Sequence, residues 1–184
     1  MSEPSSFFLH AHITPEKLEQ FLNAPSANIA DYTDWQAWFN ERERIYGDPA
    51  ELLRELAHSN VGTSNEAIYA EHINYDKETQ ILTMDHIFLS ESFNDFLPLS
   101  ACLRGLENYI TPGTLNNFMI IYPWWWGDSS GSLPPETNIY IEFVDGRSRL
   151  PTEIRPENVA IANAFFDEFA ETLAEELYNK QGYI

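Results

Sequence analysis

Residues 67–89, AIYAEHINYDKETQILTMDHIFL, read as two extended runs joined by a polar link. The first covers about Ala67 to Tyr75 and the second Gln80 to Leu89, with Asp76 to Thr79 between them. Runs rich in β-branched and aromatic residues, separated by so short a link, predict a β-hairpin. The runs alternate imperfectly: Ile68, Ala70 and His72 oppose Tyr69, Glu71 and Ile73. That pattern suits an antiparallel sheet with one face covered by helices.

Outward from the hairpin, the chain alternates strands and helices without a strict βαβ order. Phe7 to Ile13 reads as a first strand. Thr14 can cap a helix that has Pro15 at its first position and Leu18, Phe21 and Leu22 on one face. Ala24 to Thr33 is small and polar and reads as a loop. A second helix begins at Asp34, with Trp35, Trp38, Phe39, Ile45 and Tyr46 at helical spacing, and Gly47 ends it. Asp48-Pro49 opens a third, carrying Leu52, Leu53 and Leu56. After the hairpin, Ser92 or Asp95 can cap a helix whose stripe is Phe96, Leu99, Leu103, Leu106 and Ile110. Pro98 fits only if it lies in the first turn. Thr111-Pro112-Gly113 stops this helix.

Phe118 to Trp124 and Asn138 to Val144 are strands, with a loop from Gly127 to Pro135 between them and a turn at Asp145-Gly146. Arg147 to Arg155 reads as irregular. Pro156 starts a last helix with an apolar stripe of Ala162, Phe166, Phe169, Leu173 and Leu177 and an acidic one of Glu168, Glu171 and Glu175. The expected architecture is α+β: a mostly antiparallel sheet of about five strands with helices mainly on one face.

The whole-chain numbers set the class. At 184 residues, 43% hydrophobic and 14% aromatic, the chain suits a single globular domain, 1–184, with a real core. Its net charge is −19, from 29 acidic and 10 basic residues. Phosphate neutralisation needs Lys and Arg, so this balance argues against nucleic acid as a direct partner. It argues equally against an anionic membrane surface. It favours fast, salt-sensitive association with a cationic partner, and it also serves solubility. The single cysteine, Cys102, allows no intrachain disulfide, and its leucine neighbours predict a buried structural thiol. Met1 to Ser6 has no cationic stretch of the secretory kind. The longest apolar run, Phe118 to Trp126, is broken by Pro123 and is well short of the roughly 18 residues of a membrane span. A cytoplasmic location is the resulting expectation.

Four constellations carry possible chemistry. His10 and His12 sit two apart in a strand, so both imidazoles face one side and can reach one metal. Amidohydrolase-like enzymes open with such a pair, but their barrel needs about 250 residues. The plainer reading is a pair of edge histidines, and no cofactor is expected. Gly127-Asp128-Ser129 resembles the nucleophile segment of some serine esterases, yet it leads into a loop and has no evident activating base. Trp124, Trp125 and Trp126 cannot all enter one core, because consecutive strand residues face opposite sides. With Asp128 they form a candidate partner-binding anchor, or else pack beneath the loop that follows. Glu168, Glu171 and Glu175 form a candidate steering surface, or the ordinary solvent face of an amphipathic helix.

A compact acidic α+β chain with an aromatic segment at Trp124–Trp126 and no complete active site resembles the small acidic immunity proteins of bacterial contact-dependent and secreted toxin systems. The resemblance implies a protein that binds a cognate, basic toxin and blocks it by covering its active cleft. Two other readings are an adaptor or chaperone for a secreted effector and a small metal-dependent hydrolase using His10 and His12.

Overall fold

The hairpin forms. In the computed structural model of the chain, which describes residues 4–40, 49–58, 64–65, 73–124 and 139–180, strand β2 (Ile73–Asp76) pairs antiparallel with β3 (Ile81–Ser90), Tyr75 facing Leu82 and Asp76 facing Ile81. The Asp76 carboxylate closes the link by accepting from the backbone N–H of Glu78 at 2.8 Å and the Thr79 hydroxyl at 2.7 Å. Gln80 completes the turn in the left-handed region at φ 56°. Residues 67–72 of the expected first strand lie outside the described residues.

The hairpin is one side of a six-stranded sheet of order β2-β3-β1-β4-β5-β6, with every pairing antiparallel. The first strand, β1 (Ser5–His12), sits inside the sheet between β3 and β4 (Phe118–Tyr122). β5 (Ile139–Val144) follows β4 and leads through Asp145-Gly146 to β6 (Arg147–Arg149). Both turn residues have positive φ, 53° and 71°, as a two-residue hairpin connection of matching twist requires. Among the described residues the sheet has six strands, where about five were expected. The segment expected to be irregular begins with an edge strand, and its exposed Arg147 and Arg149 are what a protected edge carries.

Alternation along β1 decides the two faces. Phe7, Leu9 and Ala11 point into the larger core, which also takes Leu82, Met84, Met119, Ile121, Ile141 and Phe143 from the other strands. Helices α1 (Pro15–Asn23), α2 (Trp35–Asn40) and α4 (Phe93–Arg104) cover it with Leu18, Phe21, Trp35, Trp38, Phe96 and Leu103. Leu53 and Leu56 of α3 (Pro49–Leu56) pack at its margin. Phe8 points the other way, into a smaller core of Phe118, Ile120, Tyr122 and Tyr140. Only α5 (Pro156–Lys180) covers that face among the described helices, through Ala162 and Phe166. β3 changes sides along its length: Ile87 packs on the smaller core and Leu89 on the larger. The irregular register opposite Ser5–Phe7, with Phe88 at φ 58°, produces that switch.

Local signals are obeyed at most helix ends. Thr14 caps α1 by accepting from the backbone N–H of Lys17, and Ser92 caps α4 by accepting from that of Asn94. The polar stretch 24–33 contains a short 3-10 turn, Ile29–Asp31, closed by a reciprocal capping box between Asn28 and Asp31. Pro98 is the exception. It is the sixth residue of α4, in the second turn, where it removes a bond to the carbonyl of exposed Asn94, which water can solvate. α4 also stops earlier than its stripe suggests, tightening at Gly105–Asn108 into a 3-10 turn. Cys102 is buried, as expected. Ile45, Tyr46, Gly47 and Asp48 lie outside the described residues. No helix among the described residues is long and apolar enough to cross a membrane.

Candidate functional site

Two of the expected surface features meet on α5. Trp124 follows the end of β4 rather than extending it, and its half-buried ring lies 5.0 Å from that of Phe166. Phe166 in turn contacts Phe8 at 5.9 Å and Tyr122 at 6.3 Å. The tryptophan segment thus starts against the helix that carries the acidic stripe. Asp167, Glu168 and Glu171 are exposed on that helix. Trp125, Trp126, Asp128 and Ser129 lie outside the described residues, as does the side chain of Glu175.

Phe169 departs from expectation. Its spacing from Ala162 and Phe166 predicts a core position, yet it is 42% exposed while Phe166 is fully buried. The reason is the length of the layers. A 25-residue helix is about 37 Å long and a five-residue strand spans about 17 Å, so α5 outruns the strands beneath it. Periodicity identifies a helix face but carries no information on where the opposing layer ends. An aromatic ring is left exposed on the apolar stripe, with the carboxylates on the other side of the helix.

The start of α5 is fastened to β5 by polar groups. The Tyr140 hydroxyl donates to Glu142 Oε1 at 2.7 Å and accepts from Asn158 Nδ2 at 2.7 Å. Arg155 Nε pairs with the same Glu142 oxygen at 2.8 Å. Further along, the Tyr122 hydroxyl donates to Asn163 Oδ1 at 2.7 Å. Burial raises the pKa of both phenols; the bond to Glu142 adds to the effect at Tyr140, and Asp167 adds to it at Tyr122. Since folded values lie above the usual 10.0, the stability these phenols contribute is complete below pH 10 and is lost as pH rises beyond it. An alkaline titration followed by tyrosinate absorbance and circular dichroism should show α5 loosening above about pH 10. Tyr122→Phe and Tyr140→Phe should together flatten that limb.

A cavity of about 570 Å³ lies between the 111–117 loop, the β5–β6 turn and the start of α5. Its charged lining residues are Glu107, Glu142, Asp145 and Arg155, of which Glu142 and Arg155 form an ion pair. The Glu142–Arg155 pair helps attach the start of α5 to β5.

His10 and His12 share the α5 face of β1, with ring centroids 5.4 Å apart. His10 Nδ1 bonds the Asn116 carbonyl at 2.8 Å, and His12 Nδ1 lies 3.2 Å from Asn117 Oδ1. Burial lowers the His10 pKa below its usual value; the bond to Asn116 opposes this and the adjoining His12 adds to it. Among the described residues there is no group of three or more His, Cys, Asp or Glu placed to hold a metal ion.

Comparison with known proteins assigns the chain to no family: no family model matches it, and neither a curated protein nor a solved structure does.

Proposed function

We propose that this chain is a stoichiometric protein-binding inhibitor of the immunity kind, which neutralises a cationic toxin by covering its active cleft. One observation supports this reading most: Phe169, on the apolar stripe of the helix against which Trp124 packs, is 42% exposed, while Asp167, Glu168 and Glu171 are exposed on the other side of the same helix. An exposed aromatic ring suits the buried centre of an interface, and a charged helix face beside it suits the polar rim. The carboxylates would compete with phosphate for a basic cleft and speed encounter, while the ring would set the lifetime of the complex. The whole-chain charge of −19 acts in the same direction.

The test is co-expression with the products of neighbouring genes, followed by binding kinetics on any complex recovered. The expected result is a salt-sensitive 1:1 complex with a basic protein that is toxic when expressed alone. Phe169→Ala should then speed dissociation about thirtyfold, equivalent to about 2 kcal/mol. Reversing charge at Glu168 and Glu171 should mainly slow association. A partner that is exported and harmless alone would make the chain an adaptor or chaperone instead. Recovery of no cationic partner, with no toxic neighbour, would remove the inhibitor reading.

A further inference from the structure

The two histidines of β1 are oriented more fully than an edge pair needs. The Asn116 carbonyl oxygen has no hydrogen, so His10 Nδ1 must carry the proton of their 2.8 Å bond. The same holds at His12. Asn117 Oδ1 already accepts the His12 backbone N–H at 2.7 Å, and Asn117 Nδ2 donates to the Thr114 carbonyl at 3.1 Å, which identifies Oδ1 as the oxygen. His12 Nδ1, 3.2 Å from that oxygen, therefore also carries a proton. In both neutral rings the lone pair resides on Nε2. Neither Nε2 has a hydrogen bond among the described residues.

The supporting groups are themselves held. Asn117 is 4% exposed and also donates to Thr114 Oγ1 at 3.0 Å. The Thr111 N–H donates to the His12 carbonyl at 2.8 Å, fixing the loop to the end of β1. The His10 ring stacks on Phe118, 6.1 Å between centroids and 22° between planes. Imidazoles that ligate metals characteristically donate their other N–H to a carbonyl or carboxylate, which sets both tautomer and ring direction.

We propose that His10 and His12 form a two-imidazole site for a zinc-class divalent ion, bound through both Nε2 atoms, with the other coordination positions open to water or to a donor from another molecule. Imidazole pairs favour zinc, copper and nickel over magnesium and calcium, whose preferred ligands are oxygens. Two protein ligands leave a tetrahedral ion half open. The site is independent of the α5 surface and of the inhibitor reading.

Zinc chloride titrated into the full chain, followed by calorimetry and by imidazole ¹⁵N resonances, tests this. The expected result is one zinc ion per chain in competition with excess calcium, with both Nε2 resonances moving on binding. His10→Gln and His12→Gln should each weaken binding at least tenfold, and Asn117→Ala should do so by about tenfold through loss of ring orientation. Zinc binding unchanged in the double histidine variant would overturn the proposal, because surface carboxylates would then account for it. Unmoved imidazole resonances in the native chain would overturn it equally, whatever the stability of the variants.

Discussion

Replacing Arg104 with alanine is expected to lower the free energy of unfolding by about 3 kcal/mol, read from urea denaturation, out of a total of roughly 5–15 kcal/mol for a domain. Arg104 is 1% exposed, although it belongs to a residue type rarely found fully buried. Its guanidinium forks onto Asp34 at 2.7 and 2.8 Å and donates to the Ser148 hydroxyl at 2.8 Å and carbonyl at 3.0 Å. It lies 4.0 Å from the centre of the Tyr32 ring and 5.3 Å from that of Trp35. One side chain therefore joins α4 to the start of α2 and to the edge strand β6. Ser148 is held from its other side by Glu107, which accepts the Ser148 hydroxyl at 2.7 Å. The expected loss is set at the low end for a broken buried pair, because the Asp34 side chain is 39% exposed and water can solvate it once Arg104 is gone. Lysine should restore little, since an ammonium cannot make the fork or lie flat on Tyr32. A lysine variant as stable as the native chain would show that charge alone matters there.

Phe166→Ala should cost about 4 kcal/mol and act locally. The ring is fully buried between Phe8, Tyr122, Trp124 and Phe165, and no other described helix covers this face of the sheet. Hydrogen exchange should quicken along α5 while the β1–β3 ladder, attached to the larger core, stays protected. Phe169→Ala, one turn further on, should change stability by less than about 0.5 kcal/mol, as for an exposed site. Equal losses at the two positions would mean that Phe169 is covered in solution.

The contrast between these neighbours marks where sequence reading ends. Leu18 and Phe21 on α1, and Ala162 and Phe166 on α5, are legible as buried because helical periodicity is a local property. So are the Thr14 cap, the Asp145-Gly146 turn and the buried Cys102, each decided by a few adjacent residues, while at α4 the sequence offers Ser92 or Asp95 and the structure uses Ser92. Phe169 has the same spacing, but its exposure depends on how far the opposing strands extend. Arg104 reads as an ordinary cation near the end of a helix, and its partner Asp34 lies 70 positions away. The tautomers of His10 and His12 depend on Asn116 and Asn117, more than 100 positions distant.

By itself the sequence determined the α+β class, the hairpin turning at Asp76 to Thr79, most helix starts and the strong acidity, because each follows from composition or from contacts within a turn or two. Tertiary structure alone decided that β1 lies inside the sheet, that α5 is the one described helix on its face of the sheet with Trp124 against it, and that Phe169 is left exposed. Those outcomes depend on which distant segments pair and where each layer runs out, and no local period encodes either.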